Sequence, residues 1–143
     1  MSKIARFFSE HRCTAAANVY PYLTYSENPG DTPLSYVTFQ RGTTAFSDNN
    51  SITYTDLFDA MIDALYTAME KAGAPGVRVV VSESGWPHMA VSMETYDKNL
   101  INHVGNEMPK RLGLLKTYIF TLCLVQWPGQ VAGVPRTPIY FSG

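Results

Sequence analysis

Val77-Arg78-Val79-Val80-Val81-Ser82-Glu83-Ser84-Gly85-Trp86-Pro87 sets a carboxylate behind a β-branched and nearly continuous apolar run. Such a run reads as a parallel strand covered on both faces, because no position is left over for a water-facing side. A charge beside those surroundings is costly unless it is paired or solvated. Two readings of Glu83 stay open on the residues alone. It is a solvated strand-end carboxylate that caps the following loop. Or it is a functional group, since residues at the C-terminal ends of barrel strands build active sites.

Working outward, the stretch before this strand is the clearest helix in the chain. Leu57, Phe58, Met61, Leu65, Ala68 and Met69 recur at spacings of three and four between Tyr54 and Ala72. Thr53 or Thr55 can cap its start, and Gly73 stands where a C-terminal cap belongs. After the strand, Met93, Tyr96, Leu100, Ile101 and Val104 predict a second helix over 92–104, and Thr117 to Val125 reads as another buried strand. Toward the N-terminus, Ile4, Phe7 and Phe8 read as the end of a helix, and Thr14 to Tyr22 as a buried strand running into a loop. Residues 24–52 are rich in turn formers, with a short strand expected around Tyr36 to Phe39. Helices alternating with strands imply a parallel sheet with covering helices.

Composition narrows the function. With 45% hydrophobic residues and a net charge of -1, the chain suits one soluble domain and carries no footprint for nucleic acid. The longest apolar stretch, 118–125, is too short to span a bilayer. Cys13 and Cys123 make no disulfide framework, and His11, His88 and His103 show no metal-ligand spacing, so no metal and no cofactor are expected. The start of the sequence has no apolar core suited to a signal peptide. Aromatic residues make up 13% of the chain, nine of them tyrosines, which suits sugar binding and core packing alike. Asn18, Tyr20 and Tyr22, spaced by two, lie on one side of an extended segment.

Several stretches together resemble glycoside hydrolase family 17, the plant endo-β-1,3-glucanases and their relatives. They are the Val79 to Pro87 run, Ala17-Asn18-Val19-Tyr20-Pro21-Tyr22, Asn28-Pro29-Gly30, Leu57 to Met61, Glu70 to Gly73, Thr95-Tyr96, Asn99 to Ile101 and Thr117 to Phe120. They fall in the family's order and cover roughly residues 4–121. The resemblance implies an α/β fold, a partial (β/α)8 TIM barrel with C-terminal strands and helices only. It implies a retaining hydrolase of β-1,3-glucan, secreted or in the cell wall or vacuole. Retention uses two carboxyl groups about 5 Å apart. By resemblance Glu83 is the nucleophile, Asn18 and Tyr20 hold it or hydrogen-bond the sugar, Tyr22 lines the same cleft, and Trp86 walls the sugar site; barrel-interior packing is the other reading for Asn18 and Tyr20, and core packing for Trp86.

The resemblance is partial. The family's proton donor lies in an Asn-Glu motif on an earlier strand and is expected to be missing from this sequence. Asn106-Glu107 imitates that motif, but it follows a helix and precedes a strand, where barrels keep their stability face. Glu107 is therefore expected to be a decoy. Two carboxylates usual around the last strand are replaced by Lys116 and by Leu124-Val125-Gln126. Residues 1–121 are read as barrel and 122–143 as a divergent tail. A complete barrel takes about 250 residues, so a non-catalytic remnant, at most glucan-binding, is the alternative to an enzyme.

Overall fold

A computed structural model of the chain describes residues 3–40, 46–47, 52–87, 92–105, 114–120, 126–127 and 130–131. In chain order the elements are α1 (Lys3–Glu10), β1 (Thr14–Asn18), α2 (Pro21–Glu27), α3 (Leu34–Val37), β2 (Phe46–Ser47), β3 (Thr53–Tyr54), α4 (Leu57–Lys71), β4 (Arg78–Ser84), α5 (Met93–His103), β5 (Thr117–Ile119), β6 (Gln126–Trp127) and β7 (Gln130–Val131). The three apolar strands form one parallel sheet in the order β1-β4-β5, and helices connect successive strands. The expected decoy Glu107, the Asn49-Asn50-Ser51 sequon, His88 and Cys123 lie outside the described residues.

β1 pairs with β4 in parallel register, Ala15, Ala16 and Ala17 opposite Val79, Val80 and Val81. Ala15, Val79 and Val81 are buried, whereas Ala16 is exposed and Val80 only half-buried. The expected cover on both faces is thus present on one, where the helices pack. Pro21 does not lead into a loop. It is the first residue of α2, where its missing N–H costs nothing and its fixed φ suits a helix.

The strand expected around Tyr36 to Phe39 is instead the single helical turn α3. Thr38 turns it back on itself, its N–H and its hydroxyl both donating to the Leu34 carbonyl. Tyr36 and Val37 are buried from that turn. Among the described residues, the strand structure near this excursion is the β2–β3 ribbon.

α4 begins at Leu57, and its cap is Asp56, not Thr53 or Thr55. The Asp56 carboxylate accepts from the Asp59 N–H at 2.9 Å. Gly73 ends it in the left-handed region at φ 83°, donating to the Glu70 carbonyl. Phe58 and Ile62 are fully buried from α4, Tyr96 and Leu100 from α5, and these meet Val81 and Ile119 of the sheet in one core. Among the described residues no helix is long and apolar enough to cross a membrane.

Candidate active site

β4 continues through Ser84, so Glu83 stands inside the last residues of the strand and not behind it. Pairing between β1 and β4 is regular up to Ala17 and Val81. It then skips Ser82, and Asn18 lies opposite Glu83. Such a bulge inserts one extra residue on one strand and re-aims the side chains beside it. The Val19 N–H donates to the Glu83 carbonyl at 2.8 Å, which closes the bulge on its far side.

The side chains converge there. Glu83 Oε2 accepts from Asn18 Nδ2 at 3.2 Å and from the Tyr20 hydroxyl at 2.9 Å. Hydrogen bonds to a charged acceptor contribute about 1.5–3 kcal/mol each. Immobilising a glutamate side chain costs about 2 kcal/mol at most, so the two bonds suffice to hold the carboxylate. Partial burial raises the Tyr20 pKa first, and the hydrogen bond to Glu83 and its negative charge add to this, bringing it to about 12. The phenol therefore keeps its proton at neutral pH and remains a donor to Glu83. On the other side of Asn18, the Ser82 hydroxyl donates to Oδ1 at 2.7 Å.

The strand end is locked from behind. Ser84, fully buried, shares a 2.8 Å hydrogen bond with the Tyr96 hydroxyl of α5. The Phe120 N–H donates to the Ser84 carbonyl at 2.7 Å. Gly85 lets β5 come this close, since a Cβ there would lie 2.3 Å from the Phe120 carbonyl oxygen.

Not every residue expected at the site reaches it. Asn18 ends β1 and Tyr20 precedes α2, and both contact Glu83. Tyr22 is already inside α2, where the helical turn directs its ring to Trp86 at 5.0 Å. The even spacing that put the three side by side holds only while the backbone stays extended. Trp86 is only 4% exposed and packs against Tyr22, Tyr25 and Tyr96, so its ring lies in the core and not open to solvent. Ser82, Ser84 and Tyr96 are legible in the sequence as members of family stretches and, for Tyr96, of a helix period, but not as site residues. Ser82 directly precedes the carboxylate, and that adjacency was the available signal.

A second polar cluster joins residues far apart in sequence. His103 Nε2 lies 2.7 Å from Asp59 Oδ1 and 3.7 Å from Asp56 Oδ2. These three side chains offer ligand atoms within 4.8 Å of one another, a grouping that the spacing of the histidines did not suggest. The same oxygens already serve α4: Asp56 Oδ1 caps the helix and Asp59 Oδ1 meets the imidazole. The cluster thus works as a clamp between α4 and α5. Burial raises the Asp56 carboxyl to about 6, with the neighbouring Asp59 charge adding to the effect. For His103 burial pulls the pKa down, but the Asp59 hydrogen bond and both carboxylate charges outweigh it and the net shift is upward.

Residues 1–127 match the family model of the glycosyl hydrolases family 17. A glucan endo-1,3-beta-glucosidase GII of Hordeum vulgare is 52% identical over 128 residues, covering 85% of this chain and 38% of its own length. The acidic isoform GL153 of the corresponding Nicotiana tabacum enzyme is 43% identical over 132 residues. Among solved structures, one described as a plant beta-glucan endohydrolase superposes with a TM-score of 0.77 at 38% identity, covering 82% of this chain and 40% of its own. CJP38, a beta-1,3-glucanase and allergen of Cryptomeria japonica pollen, gives 0.76 at 40% identity, over 83% of this chain and 39% of its own. The fold is accordingly a part of a (β/α)8 barrel, and the chain spans about four-tenths of the length of these relatives.

Proposed function

This chain belongs to the glycosyl hydrolases family 17, and from that premise we propose that it serves hydrolysis of β-1,3-glucan with Glu83 as the retaining nucleophile. The observation that carries the reading is the held carboxylate. Glu83 lies near the C-terminal end of a parallel strand, and Asn18 and Tyr20 both donate to Oε2. In this mechanism a Glu83 oxygen bonds to the anomeric carbon. The leaving glycosidic oxygen departs with its electron pair and takes a proton from a second carboxylic acid, and water then cleaves the glycosyl ester.

That second acid belongs to a residue outside these 143. Asn18 and Tyr20 keep Glu83 aligned and border the sugar, while Tyr22 and Trp86 support the cleft as a packed aromatic wall. We read residues 1–121 as the barrel part and 122–143 as a divergent tail, with the family match running on to residue 127. A wall, secreted or vacuolar setting accords with such a substrate.

The test is release of reducing sugar from a linear β-1,3-glucan. The chain alone is expected to release none. Joined to the upstream part of the barley relative it is expected to release sugar with retained configuration, and Glu83→Gln to lower that rate by orders of magnitude. Full activity in the Gln variant overturns the nucleophile. Turnover by the isolated chain, lost in the same variant, overturns the external donor. Binding without turnover in the joined protein supports a non-catalytic remnant.

A further inference from the structure

We infer that Ser82 is a positioning residue: its hydroxyl holds the Asn18 side-chain amide so that the amide N–H stays turned toward Glu83. The inference rests on Glu83 being the nucleophile. In a regular strand Ser82 and Glu83 point to opposite faces. Here the bulge leaves Ser82 without a partner on β1, and one amide touches both side chains.

The two contacts have opposite polarity. An Asn amide has one acceptor oxygen and two donor hydrogens on nitrogen. Ser82 Oγ donates to Asn18 Oδ1 at 2.7 Å, and Asn18 Nδ2 donates to Glu83 Oε2 at 3.2 Å. Turning the amide over would set Oδ1 against the carboxylate. While Glu83 carries its charge, that repulsion adds to the Ser82 bond in orienting Asn18. Once Glu83 has bonded to the anomeric carbon the charge is gone, and with it most of that repulsion. The Ser82 bond does not depend on that charge. It therefore keeps the N–H in place when the ester forms and when the carboxylate leaves again. Ser82 touches neither sugar nor reacting atoms in this scheme and acts through Asn18.

The test follows the Asn18 side-chain amide by NMR in the 15N-labelled chain joined to the upstream part of the barley relative. Ser82→Ala is expected to speed hydrogen exchange of the Asn18 NH2 about tenfold, the factor matching one net hydrogen bond. Ser82→Thr, which keeps the hydroxyl, restores the original rate. Glu83→Gln removes the charge but leaves the Ser82 bond, so the amide stays ordered there and loosens in the double variant with Ser82→Ala. Unchanged exchange in Ser82→Ala overturns the inference, as does an amide that loosens in Glu83→Gln alone. Should Ser82→Ala not fold, the Thr and Gln variants still decide. Failure of the nucleophile reading shows elsewhere, as full hydrolysis by the joined Glu83→Gln protein.

Discussion

At the scale of single residues, the site depends on Gly85 as much as on the groups that do chemistry. Glu83 is held at the strand end only while β5 sits close behind it, and a methyl group at Gly85 would meet the Phe120 carbonyl oxygen at 2.3 Å. That contact is with backbone, so one of the two strand ends must move. Gly85→Ala is expected to cost about 2 kcal/mol, within the range of overpacking strain, read as a lowered urea midpoint. Gly30→Ala is the control, because a Cβ there meets nothing within 4 Å. It should leave the midpoint unchanged or slightly raised, through the stiffer unfolded chain. A Gly85→Ala midpoint equal to that of Gly30→Ala would show that the β4–β5 approach tolerates a side chain. Glu83 and Gly85 were both legible as part of one motif, whereas the bulge that brings Ser82 onto Asn18 depends on the register with a strand sixty residues earlier.

At the scale of elements, the clamp between α4 and α5 ties stability to pH. Asp56 is raised from 3.8 to about 6 and His103 is raised above 6.5, so at both sites the folded chain binds protons more tightly than the unfolded one. The stabilisation is complete in acid and fades as pH rises through the raised values, from about pH 4 to above 6.5. Asp59, the buried Tyr36 and the buried Tyr96 also face the pair, and Tyr36 is itself pushed up to about 12, by burial first and then by the two carboxylates. The urea midpoint is expected to fall between pH 5 and pH 8. His103→Gln, which cannot gain a proton, should flatten the upper part of that fall. An identical slope in the variant, or a wild-type midpoint that rises over the interval, would remove the clamp from the account. The helix periods at 57–69 and 93–104 were readable in advance, but the cap was not. Thr53 and Thr55 were the candidates, and it is the carboxylate of Asp56 that reaches the Asp59 N–H.

For the whole molecule, the open question is how 143 residues manage the surface of a partial barrel. β1 and β5 are the two edges of the three-stranded sheet, and Ile4 and Leu114 are each 70% exposed, with Phe7 and Leu23 more than half exposed. Unpaired edges and apolar surface favour association. The isolated chain is expected to bind a hydrophobic dye and to self-associate at micromolar concentration, or to remain partly unfolded. A soluble monomer with one sharp thermal transition, seen together by sedimentation and circular dichroism, would refute this.

The sequence by itself determined the family, the parallel α/β alternation and the position of Glu83, because each is written in local pattern: apolar periods of two kinds and a contiguous motif. Tertiary structure alone decided which neighbours Glu83 has. Asn18 and Tyr20 reach its carboxylate, Tyr22 turns away once Pro21 starts a helix, Trp86 is enclosed by tyrosines, and His103 meets two aspartates more than forty residues away. These pairings follow from register and from where the backbone stops being extended. Both are set by packing among distant segments, which no local pattern records.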